Sequence, residues 1–196
     1  MSVAYAGPLR REPIAIELHN TLYAVNGETH DGLADQDSAR AWLEGIAERL
    51  PPDAADSTGP WPHPAELRAL RSAVRDALHA AVDGRHPQRS VLDAINQASR
   101  RAPRSPLALW RPDGDPIAAT DHHDAAKADI VIGALAADAI ALLTGPQHDD
   151  LRACGAPGCV LMFLKDHPRR AWCSNTCGNR ARQARHYRRA RGDAAL

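Results

Sequence analysis

The sequence contains few of the features that mark membrane proteins and secreted proteins. Only 4% of its 196 residues are aromatic, so a core must be built mainly from Ala, Leu, Val and Ile. No uncharged apolar run reaches the length of a membrane span, and the longest candidate, residues 130–143, carries Asp138 and predicts a buried helix. Arg10, Arg11 and Glu12 precede no apolar block of signal-peptide length. We therefore expect a soluble, cytoplasmic protein with no membrane partner.

Signatures of catalysis are absent as well. The sequence holds no P-loop, no G-x-G-x-x-G and no G-x-S-x-G pattern. No serine has a recognisable base partner, and the four cysteines all fall in one short window. We therefore predict that the protein is not an enzyme; the alternative is that residues 1–150 form an enzyme with a structural zinc appendage.

Residues 1–150 predict a mainly helical domain with a small β component. Apolar residues recur there at helical spacing, bounded by capping residues or by proline and glycine, in residues 37–50, 64–82, 90–98 and 123–143. The weak alternation of residues 13–18 predicts a short strand or an extended lead-in. Residues 107–110 and 117–120 flank a Pro-Asp-Gly-Asp turn and predict a hairpin.

The net charge of zero hides two regions of opposite sign. Residues 151–196 contain ten Lys or Arg and two acids, a net charge of +8, whereas residues 1–150 carry −8. Such an asymmetry indicates two segments with different roles. We therefore predict a domain of residues 1–150 and a second module of residues 151–196.

The cysteines of the second module lie in one window of 24 residues, Cys154, Cys159, Cys173 and Cys177. Two short-spaced pairs joined by a connector of hairpin length supply the four soft thiolates that zinc prefers at tetrahedral corners. Disulfides are the alternative, disfavoured by the lack of a secretion signal. His167 and His186 could substitute as ligands, but four cysteines already complete a shell. We predict one structural zinc ion per chain.

The residues around the cysteines predict a treble-clef-like arrangement. Gly155-Ala156-Pro157-Gly158 can fold as a knuckle, and residues 160–164 and 170–172 predict a hairpin around an intervening turn. Ser174-Asn175-Thr176 can cap a helix that continues over residues 179–191. The fold class is therefore α+β, mainly α, with a helical domain followed by a four-cysteine module.

The predicted last helix is basic on nearly all sides. Such a helix cannot pack deeply in a core, but it suits a phosphate backbone, and the arginine fork suits phosphates and guanine edges. We predict a DNA interface, with RNA binding or protein docking as alternatives. The candidate residues are Arg169, Arg170, Asn179, Arg180, Arg182, Arg185, Arg188 and Arg189.

A ligand pocket in residues 1–150 is a further hypothesis. His19 and Asn20 end the first apolar segment, where polar residues could meet a small molecule, and Trp42 could form a wall. The alternative is a hydrogen-bonded turn beside a core tryptophan. A small-molecule effector and a homodimer are the partners that we consider besides DNA.

The C-terminal sequence resembles the CGNR zinc-finger family, bacterial stress-induced transcription regulators with an N-terminal ABATE domain. The resemblance is carried by Cys177-Gly178-Asn179-Arg180, the other three cysteines, Asp166, the Arg169-Arg170 doublet and Trp172. It extends less specifically to Asn20-Thr21, Asp31, Leu33 and Trp42-Leu43. Ala171 and Asn175 depart from the family pattern. The resemblance implies a zinc-dependent DNA-binding transcription regulator whose N-terminal domain senses a ligand or dimerises.

Overall fold

The computed structural model describes residues 5–55, 58–112 and 114–193. Within them the chain forms helices α1 (Ile14–Asn20), α2 (Gln36–Ile46), α3 (Pro52–Ala55), α4 (Pro64–Val82), α5 (Arg89–Ser99), α6 (Lys127–Thr144) and α7 (Asn175–Asp193). Three antiparallel strand pairs join β1 (Leu22–Val25) to β2 (Glu28–Asp31), β3 (Ser105–Trp110) to β4 (Pro116–Asp121), and β5 (Leu151–Ala153) to β6 (Met162–Leu164). The predicted fold class is confirmed.

Helices α1, α4 and α6 form the centre of the larger core. Leu67, Val74 and Leu78 recur at helical spacing on α4 and are fully buried, and each contributes about 2 kcal/mol by leaving water. Helix α6 is apolar nearly all round because its neighbours cover most of its surface. The apolar spacing of the sequence therefore located α4 and most of α6 correctly.

The strand predicted over residues 13–18 is wrong, because this segment forms helix α1. All seven residues of α1 are buried, so apolar and polar residues do not alternate in this segment with the spacing of an amphipathic helix. The short helix receives a tertiary cap, since Asp138 Oδ2 of α6 accepts the Ala15 N–H at 2.7 Å. The stabilising group lies 123 residues away in the chain, where local sequence patterns do not reveal it.

Two of the hairpins lie in residues 1–150. The predicted hairpin is confirmed as β3–β4, in which Leu109 lies opposite Ile117. The β1–β2 hairpin was missed, although its turn has a sequence signal. Asn26 and Gly27 have φ values of 52° and 87°, as a type I′ turn requires.

The hairpin predicted within the cysteine-rich module is wrong in its pairing. Strand β6 pairs with β5, the strand that precedes Cys154, while residues 170–172 form no strand. Arg170 N–H donates to the His167 carbonyl at 2.9 Å and closes a turn instead. The knuckle that holds Cys154 and Cys159 therefore forms the tip of the β5–β6 hairpin.

The other edge of β6 is completed by side chains from the helical domain. Asn20 Nδ2 donates to the Met162 carbonyl at 3.0 Å, and Met162 N–H donates to Asn20 Oδ1 at 2.9 Å. Leu164 N–H donates to Glu12 Oε2 at 2.9 Å, and Arg170 donates to the other oxygen of this buried carboxylate. These bonds satisfy strand groups that would otherwise be buried without partners.

Apolar packing reinforces this contact. Leu151, Met162 and Leu164 of the β5–β6 hairpin are buried within the core of the helical domain. The other apolar residues of the module form a separate small cluster around Phe163 and the cysteines. The cysteine-rich module therefore packs firmly against the preceding helices, and the proposed boundary near residue 150 runs through a shared core.

In the described parts of the chain, no helix combines the length and the apolar composition needed to cross a membrane.

Candidate metal centre and basic helix

The first cysteine pair is positioned by a tight turn at the end of the β5–β6 hairpin. Cys154 N–H donates to the Leu161 carbonyl at 2.9 Å, and Cys159 N–H donates to the Ala156 carbonyl at 3.0 Å. Pro157 and Gly158 occupy the centre of this turn, and Gly158 has a φ of 71°, as a type II turn favours. The turn brings two thiols to one point with little chain between them.

The second pair is positioned by the start of α7. Ser174 caps the helix, because its Oγ accepts the Cys177 N–H at 3.2 Å and its carbonyl accepts the Gly178 N–H at 3.0 Å. Cys173 N–H donates to the sulfur of Cys154 at 3.5 Å. A Cβ at Gly178 would lie 3.0 Å from the Trp172 ring, so a small residue is needed where the helix passes it.

The four sulfurs form a compact cluster suited to a tetrahedral ion. All lie within 4.8 Å of one another, with Cys159 and Cys173 3.8 Å apart and Cys173 and Cys177 3.5 Å apart. A zinc ion bound at about 2.3 Å from each sulfur places neighbouring sulfurs roughly 3.8 Å apart. The cysteines are free, which disfavours the disulfide alternative. The donor set fits one zinc ion.

The pKa values of the clustered thiols also favour a bound cation. Hydrogen bonds from Cys159 and Cys173 lower the pKa of Cys154, and hydrogen bonding to Cys154 raises the pKa of Cys159 to about 11. When several thiols at such short distances lose their protons, the thiolates repel one another and need a compensating positive charge. A divalent ion provides this charge and holds all four thiolates together.

Neither histidine considered as a substitute ligand belongs to the cluster. The ligand group found among the described residues consists of the four cysteines, which leaves no position for a histidine or a substrate. His167 Nδ1 accepts the Arg169 N–H at 3.1 Å, and His186 lies exposed on α7. A closed shell of this kind is structural.

The predicted nucleic-acid residues occupy different environments. Arg182, Arg185 and Arg189 line one side of α7 together with His186. Arg169 lies in the loop before Cys173, exposed Asn179 accepts a hydrogen bond from Arg182, and exposed Arg188 projects from another side of α7. The structure therefore brings together Arg182, Arg185 and Arg189. We call the surface that these three residues form the arginine face.

Two of these candidates have internal partners. Arg180 Nη2 donates to the sulfur of Cys177 at 3.3 Å, where a guanidinium stabilises a metal-bound thiolate. Arg170 pairs with Glu12 and Asp166 and lies over the Phe163 ring. We therefore assign Arg180 to support of the metal shell and Arg170 to the contact between the domains.

The hypothetical pocket residues are all fully buried. Asn20 binds the Met162 backbone, and Trp42 belongs to the hydrophobic core. Asn20 Oδ1 can only accept, so the bond of 3.0 Å to His19 Nδ1 places the proton of the imidazole on Nδ1. The tertiary contacts assign these residues to the interior of the protein.

Burial of His19 predicts a loss of stability in mild acid. Desolvation, reinforced by the Arg75 charge, lowers the pKa of His19 to about 3, and burial also lowers the pKa of His79. The unfolded chain binds protons below about pH 6.5, so we expect the free energy of unfolding to fall by about 2 kcal/mol between about pH 7.5 and 5. Urea denaturation across this range measures the change.

The same titration of a His19→Gln variant should show a weaker pH dependence. Replacement of the exposed His86 by glutamine serves as the control and should leave the pH dependence of the parent protein unchanged. An equally steep pH dependence in His19→Gln would contradict this assignment.

Sequence reasoning missed Glu12 as a functional residue. Its carboxylate is 4% exposed and joins the loop before α1 to β6 and Arg170. No local pattern marks this role, since its partners lie more than 150 residues away in the chain.

The fold and the site define a class of protein: a helical domain that carries a closed four-thiolate metal module with an arginine-rich helix. The model of the ABATE family, described as a putative stress-induced transcription regulator, matches residues 12–146. The CGNR zinc-finger model matches residues 151–190. The chain therefore belongs to the ABATE family and carries a CGNR zinc finger with one structural zinc site. No curated protein matches the chain.

Proposed function

We propose that the protein is a zinc-dependent transcription regulator that binds DNA through helix α7. The observation that carries the proposal is the arginine face, on which Arg182, Arg185 and Arg189 project from a helix anchored at Cys177. The helix has 19 residues and is about 28 Å long at a rise of about 1.5 Å per residue. This length is sufficient to follow a groove of DNA or cross its backbone.

The charge of the module supports this proposal. Residues 151–196 carry a net charge of +8 from side chains, and four thiolates with one divalent ion contribute about −2. Beyond residue 184 the described side chains of α7 are exposed. Arginines held in this way release counterions when they contact phosphates, which drives association with DNA.

Replacement of both Arg185 and Arg189 by alanine is expected to weaken DNA binding. Loss of two phosphate contacts should reduce the affinity roughly 10- to 30-fold at physiological salt and flatten the plot of log affinity against log salt by about two units. Fluorescence anisotropy with a labelled duplex measures both quantities.

Arg89→Ala is the matched control for this experiment, because Arg89 is a highly exposed arginine on α5. The double variant should keep its zinc content and melting temperature. An unchanged affinity and salt dependence would exclude the arginine face as the DNA-binding surface. Preferential competition by duplex RNA would indicate an RNA partner, whereas retained partner binding at high salt would indicate protein docking.

We further propose that the helical domain regulates the finger by sensing a small ligand or by dimerising. A cavity of about 400 Å³ lies between the ends of α4 and α6 and the start of α5, with Leu92, Leu143 and His148 in its lining. The β3–β4 hairpin exposes Leu109 and Trp110. A thermal-shift screen of small metabolites tests the first role. Light scattering of the parent protein and Trp110→Ser tests the second.

We propose that the protein has no enzymatic activity, since a closed thiolate shell leaves no open position for water or substrate. We place it in the bacterial cytoplasm as a stress-response regulator, where a reducing environment keeps thiolates available for zinc. Zinc analysis of the protein isolated from cells tests this placement, because oxidised cysteines would contradict it.

A further inference from the structure

A groove separates the N-terminal segment from the zinc finger. Its volume is about 650 Å³, and one wall comes from Leu9 and Arg10 of the helical domain. The other wall comes from the finger and includes Arg169, Trp172 and Arg182. The lining also contains Arg170, Ala171, Cys173, Ser174, Asn175 and Gly178. The complete lining includes four arginines and no carboxylate, and their charge exceeds the charge of about −2 on the metal shell that includes Cys173, so the groove is net positive.

The segment that carries Arg10 is held in one defined conformation. Arg11 has a φ of 59°, a left-handed backbone that costs free energy in a residue with a Cβ. The buried carboxylate of Glu17 compensates, because its Oε1 accepts the N–H groups of Arg10 and Glu12, each at 2.9 Å. Arg49 donates to the same oxygen at 3.2 Å. The backbone at Arg10 is thus fixed on one side of the groove by a buried charged network.

The finger supplies the positive charges of the other wall through two separate elements. The turn that ends at Arg170 places Arg169, whose N–H donates to His167 Nδ1. Helix α7 places Arg182, whose guanidinium donates to Asn179 Oδ1. Arg170 is committed to Glu12, so Arg10, Arg169 and Arg182 supply the charges available to a ligand. Three like charges around one groove repel one another, and a bound anion relieves this repulsion.

The groove is continuous with the arginine face. Arg182 lines the groove and also lines the neighbouring depression on α7 with Arg185, His186 and Arg189. A polyanion that follows α7 towards its first turn therefore reaches the groove next. A small free anion can contact only one of these surfaces at a time, whereas a chain of phosphates can contact both.

We propose that the groove binds a backbone phosphodiester of DNA, held between Arg10 of the helical domain and Arg169 and Arg182 of the finger. This inference rests on the proposed DNA-binding function and extends it to the helical domain. The phosphate closes the gap between the two walls, because planar arginine forks converge on its oxygens. The helical domain thereby contributes directly to the affinity for DNA.

Arg10→Ala tests the contribution of the helical domain in the full-length, zinc-loaded protein. Anisotropy titrations with a duplex of about 20 base pairs, from about 50 to 300 mM salt, should show a salt slope reduced by about one unit. The affinity at physiological salt should fall roughly five-fold, and Arg10→Lys should recover most of it. The zinc content and the melting temperature should equal those of the parent protein, as should the DNA affinity of the Arg89→Ala control.

The outcomes separate this inference from the proposed function. Unchanged affinity in Arg10→Ala, with weakened binding in the Arg185 and Arg189 double variant, would overturn the groove and leave the arginine face in place. Absence of salt-dependent DNA binding by the parent protein would overturn both.

Inorganic phosphate serves as the competing small anion. At constant ionic strength, titration of the parent protein should show no saturable phosphate binding beyond that of chloride. Saturable phosphate binding that disappears in Arg10→Ala, while the DNA affinity of Arg10→Ala stays unchanged, would assign the groove to free phosphate and overturn the inference.

Discussion

Replacement of Cys173 by serine is expected to abolish tight zinc binding and to unfold the zinc finger. The apolar cluster of the finger contains one large fully buried side chain, Phe163, with Leu161, two alanines and the cysteines around it. Such a cluster is too small to order the chain without a metal, and a structural zinc site contributes about 10 kcal/mol or more to folding. Cys173 is central because its sulfur lies close to those of Cys159 and Cys177.

Two measurements check the Cys173→Ser variant. Elemental analysis should give far less than one zinc per chain, where the parent protein gives one. Hydrogen exchange should show rapid exchange of the Cys177 and Gly178 amides, which are bonded to Ser174 in the folded finger. The core helices α4 and α6 should stay protected, because their packing does not include the metal shell.

Val160→Ser provides a matched control. Val160 follows Cys159, is 40% exposed and does not ligate, so this variant should keep one zinc and a folded finger. Retention of one tightly bound zinc by Cys173→Ser would contradict the four-thiolate assignment. Removal of zinc from the parent protein with a chelator should reproduce the hydrogen-exchange pattern of the serine variant.

Replacement of Asn20 by alanine should have the second largest effect. The substitution removes both hydrogen bonds to Met162, whose backbone N–H and carbonyl are then buried without partners. Each such group costs about 1 to 3 kcal/mol, so the free energy of unfolding should fall by about 3 kcal/mol or more. Chemical denaturation measures the loss, and hydrogen exchange at Met162 locates it.

The control for Asn20→Ala is Gln97→Ala, which removes an exposed side-chain amide from α5. This variant should change the free energy of unfolding by less than about 0.5 kcal/mol. If Asn20→Ala were as stable as Gln97→Ala, the amide would not contribute to the contact between the helical domain and the finger. Zinc content should remain at one in both variants, since neither residue contacts the cysteines.

These two variants test different interactions within one continuous structure. The metal orders the finger around Cys173, whereas Asn20 and Glu12 attach β6 to the helical domain. Arg170 also connects the finger to Glu12, which lies in the loop before α1. Unfolding of the finger therefore removes a contact that holds this loop. The same loop carries Arg10, so the proposed DNA groove depends on both interactions.

The metal centre could be predicted from the sequence because its signal is local. Four cysteines within a short window, a turn containing Pro157 and Gly158, and a capping serine suffice to place four thiols near the start of a helix. Helix α4 was predicted with its observed bounds, since its apolar period and Pro64 are equally local. The DNA-binding residues and the domain boundary stay predictions.

Other features followed from contacts that are distant in sequence. Helix α1 is buried on all sides and capped by Asp138, so its helical state depends on α6. The pairing of β6 with β5 left an edge that Asn20, Glu12 and Arg170 complete. For the same reason, Asn20 and His19 proved to be interior residues, where the sequence suggested a pocket.

The amino-acid sequence by itself determined the helical class, the metal ligands and the basic character of α7, because periodicity, spacing and charge are properties of short segments. Only the tertiary structure decided which arginines are available to a partner. Arg170 and Arg180 are held by Glu12 and Cys177, whereas Arg182 lines the groove and belongs to the arginine face. The physical reason is that the availability of a charge depends on its neighbours in space, which folding brings together from separate parts of the chain.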